Sequence, residues 1–577
     1  MLREPGHAER SAPFDLVIEG GTVVDGTGAP ARRADVAVKD GRIAAIAAGG
    51  FGAAEAARKI DASGKIVAPG FVDVHTHYDA QMFWDRMLTI SPWHGVTSVV
   101  VGNCGFGIAP TRPEHRDLIL RTLESVEGMS IETLRAGVGE DWPFETFPEF
   151  LDSVERRGTA INVAALIGHT PLRLYVMGEE ATEREATDEE IARMKALVVE
   201  ALEAGALGFA TSKAPTHVGY AGKPVPSRQA SGAEIKEIAL ALRDADSGVM
   251  QATLGIDLLF DELADIARSC GRTVTWTALL ADLFGPDGHR GILEQHAAFQ
   301  ADGVAVVPQV TGRPLMFEYQ WKAPFLFESM ELFGPVSAAD LEGKKKIYAD
   351  PEFRAALAAG RGGGVIGGRW EDTVITDVPG RPELAERNLA EVAAERGVHP
   401  AELALDLGLE SELEARFRVP VANRSEDAVA ELLRHPSTVL GLSDAGAHAS
   451  QLCDACFATH LLAHWTRDKE VLTLEQAVRM LTSRAAEVFG ITDRGRLEPG
   501  LAADVVVFDA DTVGCSPLER VNDQPAGADR LISRATGIEA VVVNGTLLRE
   551  RGEDCVDPDG PLPGRLLRGG RATEPFS

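Results

Sequence analysis

No run of 18 consecutive apolar residues occurs in this 577-residue chain, which excludes a membrane-spanning helix as its organising feature. The leading M-L-R-E-P-G-H-A-E-R has no apolar segment either, so no signal peptide is expected. Cysteine is sparse. Six residues in a chain of this length do not make a disulfide framework, and the expected setting is a reducing cytoplasm. Cys453 and Cys456 form a C-x-x-C without a second pair, which reads as helix packing rather than a zinc or redox site. Basic charge is short as well: 57 Lys and Arg against 87 Asp and Glu leave a net charge of −30, which repels nucleic acid and anionic membranes. What is present is a globular composition, 45% hydrophobic and 25% charged, with length for two to four domains.

Residues 1–12 read as a disordered lead. Short strands follow at Asp15–Glu19, Thr22–Asp25 and Asp35–Lys39, with Asp40-Gly41 as a two-residue hairpin turn. Similar strands return at 503–509 and 540–545, so a small β-domain, a sandwich, is expected from both termini, 13–65 and 491–550. The remainder, 551–577, reads as a tail.

Between them, apolar strand-like runs alternate with helical patterns, the mark of a parallel sheet covered on both faces. The expected strands are Ile66–His75, Thr97–Val101, Asn162–Ile167, Ala206–Thr211, Gly248–Thr253, Arg272–Thr277, Gly303–Val310 and Thr438–Ser443. Eight β/α units over 66–490 predict an α/β protein built on a (β/α)8 TIM-like barrel. One helix is legible in detail: Thr187 and Glu190 form a capping box, Ile191, Met194, Leu197, Val198, Ala201 and Leu202 form its apolar stripe, and Gly205 ends it. The long interval 311–435, with G-R-G-G-G at 360–364, reads as an insertion or lid.

Chemistry in such a barrel sits at the C-terminal strand ends. The first strand ends in A-P-G-F-V-D-V-H-T-H, where the period of two projects His75 and His77 to one side as a pair of divalent-metal ligands. The second ends in G-N-C-G, whose glycines allow close backbone approach and whose Cys104 offers a thiolate. The third ends at His169, a candidate for holding a ligand or polarising a carbonyl. The fourth carries Lys213, His217 and Tyr220. The eighth ends in L-S-D-A-G-A-H, placing Asp444 across the mouth as metal ligand and general base. Arg228, Arg313 and Arg290 are candidates for gripping a substrate carboxylate.

The order A-P-G-F-V-D-V-H-T-H, G-N-C-G-F-G, G-H-T-P-L-R, G-A-L-G-F, G-L-S-D-A-G-A-H and G-L-A-A-D-V-V-V-F-D resembles the amidohydrolase superfamily, and within it the N-acyl-D-amino-acid deacylase branch, over residues 13–550. The resemblance implies metal ligation by His75, His77, Cys104 and Asp444, with Asp444 moving the proton to the leaving amine. It implies a divalent transition metal, Zn2+ foremost, as one or two ions, and a small-molecule amide as substrate. The family's histidines on strands five and six have no counterpart in V-M-Q-A-T-L-G and V-T-W-T-A-L-L. Lys213, at the position of the carboxylated lysine of other amidohydrolases, and His217 are the residues that could compensate. The expected function is metal-dependent hydrolysis of N-acyl amino acids, D-series favoured, or of related amides. The alternatives are esters or lactones, decarboxylation or another lyase reaction, and a degenerate non-catalytic subunit. A barrel of this size is compatible with a homo-oligomer.

Overall fold

The computed structural model describes residues 13–51, 56–140, 142–285, 287–328, 330–360 and 369–573. The lead at 1–12 and most of the G-R-G-G-G run therefore lie outside the described residues. No described helix is long and apolar enough to cross a membrane.

Eight parallel strands form one sheet: β1 (Phe71–Asp73), β2 (Val96–Val101), β3 (Asn162–Gly168), β4 (Gly208–Ser212), β5 (Val249–Thr253), β6 (Val274–Thr277), β7 (Val306–Val310) and β8 (Val439–Leu440). Each pairs in parallel with its neighbour in sequence order. The sheet closes beyond the ends of β1 and β8, where Thr76 bridges Ala445 in parallel and the His77 N–H donates to the Ala445 carbonyl at 2.7 Å. The result is a TIM-like barrel.

The strand alternation sorts residues into two cores. Val72, Val74, Val100, Ala164, Leu166, Val249 and Val307 pack together inside, where Phe489 from the helix Ser483–Phe489 and Leu567 join them. Phe71, Val99, Val163, Phe209, Met250, Trp276 and Val306 belong instead to the large core shared with the surrounding helices. The helix Asp188–Glu203 carries the expected capping box, worth about 1 kcal/mol. It buries Met194, Val198, Ala201 and Leu202, with Ile191 and Leu197 half-buried; Ala204 rather than Gly205 is its C-cap.

The expected first strand, Ile66–His75, is two strands. Ile66–Pro69 pairs with Val505–Phe508 in a different sheet, and only Phe71–Asp73 enters the barrel ladder. Gly70 makes the transfer: a Cβ there would lie 2.2 Å from the Thr97 hydroxyl oxygen, so no larger residue fits between the two sheets.

Strands from both termini meet in a seven-stranded sheet that runs from Glu553–Asp554 through Ile538–Val543 and Val505–Phe508 to Ile66–Pro69 and Thr22–Val23. A four-stranded sheet, containing the Asp40-Gly41 hairpin, packs Leu16, Ile18, Val36 and Val38 against Val67, Val505, Val507 and Val542 of the larger one. The 551–577 segment, expected only as a tail, is built into the fold as far as Thr573: Leu566 bridges Val163, and Arg568 donates to the Ala204 carbonyl at 2.8 Å. The interval 311–435 has its own four-stranded sheet and its own core around Trp321, Phe333, Tyr348 and Phe417.

Asp504, of the A-A-D-V-V-V-F-D motif, ties the terminal strands to the barrel. Its buried carboxylate accepts from Arg494, from the Asn162 side chain on β3 at 2.9 Å and from the Asn544 N–H at 2.7 Å. Replacing it takes from the buried Arg494 guanidinium one of its two carboxylates, Asp493 remaining, and from the buried Asn544 N–H its acceptor. Asp504→Ala is expected to cost about 3–5 kcal/mol in urea denaturation; a loss below about 1 kcal/mol would show the network to be dispensable.

Candidate metal centre

The two histidines lie just past β1, in extended chain. Thr76 between them turns its hydroxyl to the Val100 carbonyl at 2.8 Å and gives its backbone to the bridge with Ala445. Period-two alternation therefore sends both imidazoles into the mouth, with ring centroids 5.3 Å apart. His75 Nδ1 donates to Gln309 Oε1 on β7 at 2.8 Å, which leaves Nε2 with its lone pair facing inward. That Nε2 lies 3.4 Å from Cys104 Sγ and 3.3 Å from Asp444 Oδ1. His77 has a carboxylate behind it, with Glu127 Oε1 3.1 Å from Nδ1, and Asp444 Oδ1 lies 3.7 Å from Nε2. Both imidazoles are buried.

Cys104 is aimed by its loop. Gly102 has φ of +83°, and a Cβ on it would stand 2.1 Å from the Leu166 carbonyl oxygen on β3, so glycine is required. The Gly102 N–H donates to buried Asp79, and the Asn103 amide donates to the Val100 carbonyl at 2.9 Å. Cys104 itself is left-handed, with φ of +56°, a conformation that a residue with a side chain adopts only when its surroundings impose it. Gln251 on β5 holds it there by accepting the Cys104 N–H at 2.7 Å.

Asp444, also at positive φ, follows Ser443, whose hydroxyl donates to the His75 carbonyl at 3.0 Å. Burial alone would raise its pKa, but contact with His77 and the charges of His75, His77 and His448 outweigh burial and hold it at about 2. The same balance acts on Cys104: burial raises it, the charge and hydrogen bond of His75 and those of His77 lower it, and the thiol settles at about 6. For His77, burial is outweighed by Glu127, Asp444 and Cys104, and its pKa stands well above the ordinary value.

The donor set fits a divalent cation. Ligand atoms of His75, His77 and Cys104 lie within 4.8 Å of one another. With metal–nitrogen bonds of about 2.0–2.1 Å and metal–sulfur bonds of about 2.3 Å, a tetrahedron spaces its ligands about 3.3–3.6 Å apart. His75 Nε2 meets that spacing to Cys104 Sγ at 3.4 Å and to Asp444 Oδ1 at 3.3 Å, while Asp444 Oδ1 stands 3.7 Å from His77 Nε2 and lies outside the convergent group of three. Two nitrogens, a thiolate and a carboxylate suit Zn2+.

The other candidates are placed differently. Lys213 Nζ donates to the carbonyls of Arg228 at 2.8 Å and Ala230 at 2.6 Å, and so is committed to the strand-four loop. His217 reaches the mouth's edge, its Nδ1 2.7 Å from Ser212 Oγ and its ring 5.0 Å from that of Phe106, which in turn packs on His77. Loss of surrounding water, then the charges of His448 and His77, holds His217 neutral, with its pKa at about 3. His169 spends both ring nitrogens, on Thr211 at 2.8 Å and on Glu234 at 3.0 Å, in a buried network with Arg173. Tyr220 is exposed beneath the Arg121 guanidinium. Arg313 is half-buried against Asp454 at 2.6 Å, and Arg290 pairs with Glu431 at the surface. Arg228 donates to the His217 carbonyl at 3.1 Å and has no acidic partner among the described residues.

Glu127, Gln251 and Gln309 escaped the sequence reading. The glutamines did carry a signal, as polar residues interrupting apolar strand runs; Glu127, at the end of the helix Arg116–Glu127, carried none. A cleft of about 1020 Å³ is lined by none of the candidate ligands themselves but by residues that neighbour their partners. Its walls include Gly128, next to Glu127, and Gln451, which hydrogen-bonds His448; Phe325 comes from the 311–435 interval.

The fold and its mouth define a TIM-like barrel with a candidate metal-ligating pair of histidines beyond its first strand. Residues 58–337 and 352–549 match the Amidohydrolase family, and the chain belongs to that family; with its deacylase relatives this makes it a metal-dependent hydrolase acting on C–N bonds other than peptide bonds. It is 32% identical to the N-acyl-D-glutamate deacylase of Alcaligenes xylosoxydans xylosoxydans over 563 residues, 96% of each chain. Among solved structures, the N-acyl-D-glutamate deacylase of Bordetella bronchiseptica, complexed with zinc and a phosphonate mimic of the tetrahedral intermediate, superposes with a TM-score of 0.65 at 29% identity, covering 96% of this chain and 99% of that one. A D-aminoacylase described as having a binuclear metal centre, with one-metal activation and second-metal attenuation, superposes with a TM-score of 0.66 at 29% identity, covering 96% and 100%.

Protons compete with a cation for Cys104 and both histidines. The apparent affinity for Zn2+, measured by chelator competition, is expected to tighten at least tenfold (~1.4 kcal/mol) from pH 5.5 to pH 7.5. A flat profile would show that these groups do not bind the ion.

Proposed function

We propose that the chain hydrolyses the amide bond of N-acyl-D-amino acids or closely related amides, with Asp444 carrying the proton from water to the leaving amine. The observation that supports this most is the position of Asp444, whose carboxylate faces His75 and His77 at 3.3 and 3.7 Å across the barrel closure. A divalent cation held by His75, His77, Cys104 and Asp444 would polarise the amide carbonyl and lower the pKa of water to about 7.

The chain supplies the rest. Asp444, ionised through the neutral range, accepts the proton that water loses on attack. It returns that proton to nitrogen as the C–N bond breaks, and the products are a carboxylate and a free amine. Gln309 and Glu127 fix the orientation of the two imidazoles. Arg228, unpaired beside His217, is assigned to the substrate carboxylate. The two terminal sheets are read as one small β-domain whose work, through Asp504, is to hold the barrel wall.

A panel of N-acyl-D-amino acids, N-acyl-L-amino acids, lactones and decarboxylation substrates tests this reading. Release of free amine from the D-series is expected, with Asp444→Asn lowering kcat at least 100-fold (~2.7 kcal/mol). Lactone opening or CO2 release without amide cleavage would contradict it. Arg228→Met is expected to raise KM about tenfold or more, since a hydrogen bond to a charged group contributes about 1.5–3 kcal/mol. An unchanged KM would remove Arg228 from the site.

A further inference from the structure

We propose that this centre is built for one cation, that neutral side chains on β5 and β6 stand where a second would need ligands, and that Gln251 among them is a positioning residue for Cys104. The inference rests on the metal-binding part of the proposed function and goes beyond it.

Among the described residues, His75, His77 and Cys104 are the one group of three or more His, Cys, Asp or Glu whose ligand atoms converge. The strands on the far side of Cys104 offer no imidazole, thiolate or carboxylate. They present Gln251 and Thr253 from β5, and Thr275 and Thr277 from β6. These polar groups are already paired. Gln251 Oε1 accepts the Cys104 N–H at 2.7 Å, and its Nε2 donates to Thr277 Oγ1 at 3.1 Å. The Thr253 and Thr277 hydroxyls lie 3.2 Å apart, and Gln309 Nε2 donates to Thr275 at 3.3 Å while its oxygen holds His75. The network is neutral and closed.

Charge gives the same answer. A thiolate and a carboxylate with two neutral imidazoles balance one divalent ion; with buried Glu127 beside His77 as one more negative group, a second ion would still leave positive charge uncompensated in a buried site. Lys213 does not supply the missing charge. Its Nζ acts as a donor to two carbonyl oxygens, and a carbamate there would set acceptors against acceptors.

Gln251 has a second role. Its oxygen catches the N–H of a cysteine in the left-handed region, and its own amide is oriented by Thr277. Through this chain of contacts β5 and β6, which give no ligand, set the direction of the thiolate.

The test uses the full-length protein, stripped with chelator, saturated with Zn2+ or Cd2+ and freed of excess ion. Elemental analysis is expected to give about one ion per chain, and the Cd2+ form a thiolate-to-metal absorption band that Cys104→Ser abolishes. Gln251→Leu is expected to weaken Cd2+ affinity 10- to 100-fold and reduce that band. Thr277→Val, a smaller change that is informative if Gln251→Leu fails to fold, is expected to shift both in the same direction. Two ions per chain would overturn the one-cation inference while leaving the hydrolase reading intact. Wild-type affinity and band intensity in a folded variant at either position would overturn the positioning role. No bound ion at all would overturn the proposed function itself.

Discussion

The structure depends on one short backbone contact, the bridge between Thr76 and Ala445 that closes the barrel. Every other strand pairing in the sheet is an ordinary parallel ladder between sequence neighbours; this one joins residues almost the whole barrel apart. It is made by the residues beside the chemistry. Because Thr76 gives its backbone to the bridge, His75 and His77 point inward on either side of it, and Asp444 stands next to Ala445 on the opposing strand. The Ser443 hydroxyl on the His75 carbonyl fastens the same seam. The residues that close the barrel also bring the candidate ligands together, so a shift of one residue in this register would turn both imidazoles away.

Around that seam the protein divides its labour. The inward apolar residues fill the lower barrel, with Phe489 and Leu567 closing it from below, and the polar residues of β5, β6 and β7 occupy the upper interior. The terminal strands hold the outside through Asp504. The interval 311–435 keeps a separate core, yet sends Phe317 and Phe325 against His448, four residues beyond Asp444. Insertions of this kind at the C-terminal face can change what reaches the centre without disturbing the barrel.

Much of this was legible in the residues. Period-two spacing placed His75 and His77 together, and the glycines of G-N-C-G announced a loop pressed against a neighbouring strand, as the Gly102 contact with Leu166 shows. Apolar runs located all eight barrel strands. They misjudged the first, because the run through Ala68-Pro69-Gly70 is continuous in hydropathy while the backbone changes sheets at Gly70. The partners that orient the ligands were harder to find. Glu127 lies 50 residues from His77, and Gln309 lies 234 residues from His75; long-range pairings of this sort leave no local pattern. Lys213, His169 and Arg313 looked available as single residues and proved committed to carbonyls, to Glu234 and to Asp454. A strand-end residue declares its chemistry in sequence, but not whether that chemistry is already spent.

The central claim is that closure of the barrel builds one cation site from two imidazoles, a thiolate and a carboxylate. X-ray absorption at the zinc edge of the loaded protein tests it most directly. The account predicts one sulfur at about 2.3 Å with nitrogen and oxygen at about 2.0–2.1 Å, and no metal–metal scattering. Absence of the sulfur, or a second metal at about 3.5–4 Å, would contradict it.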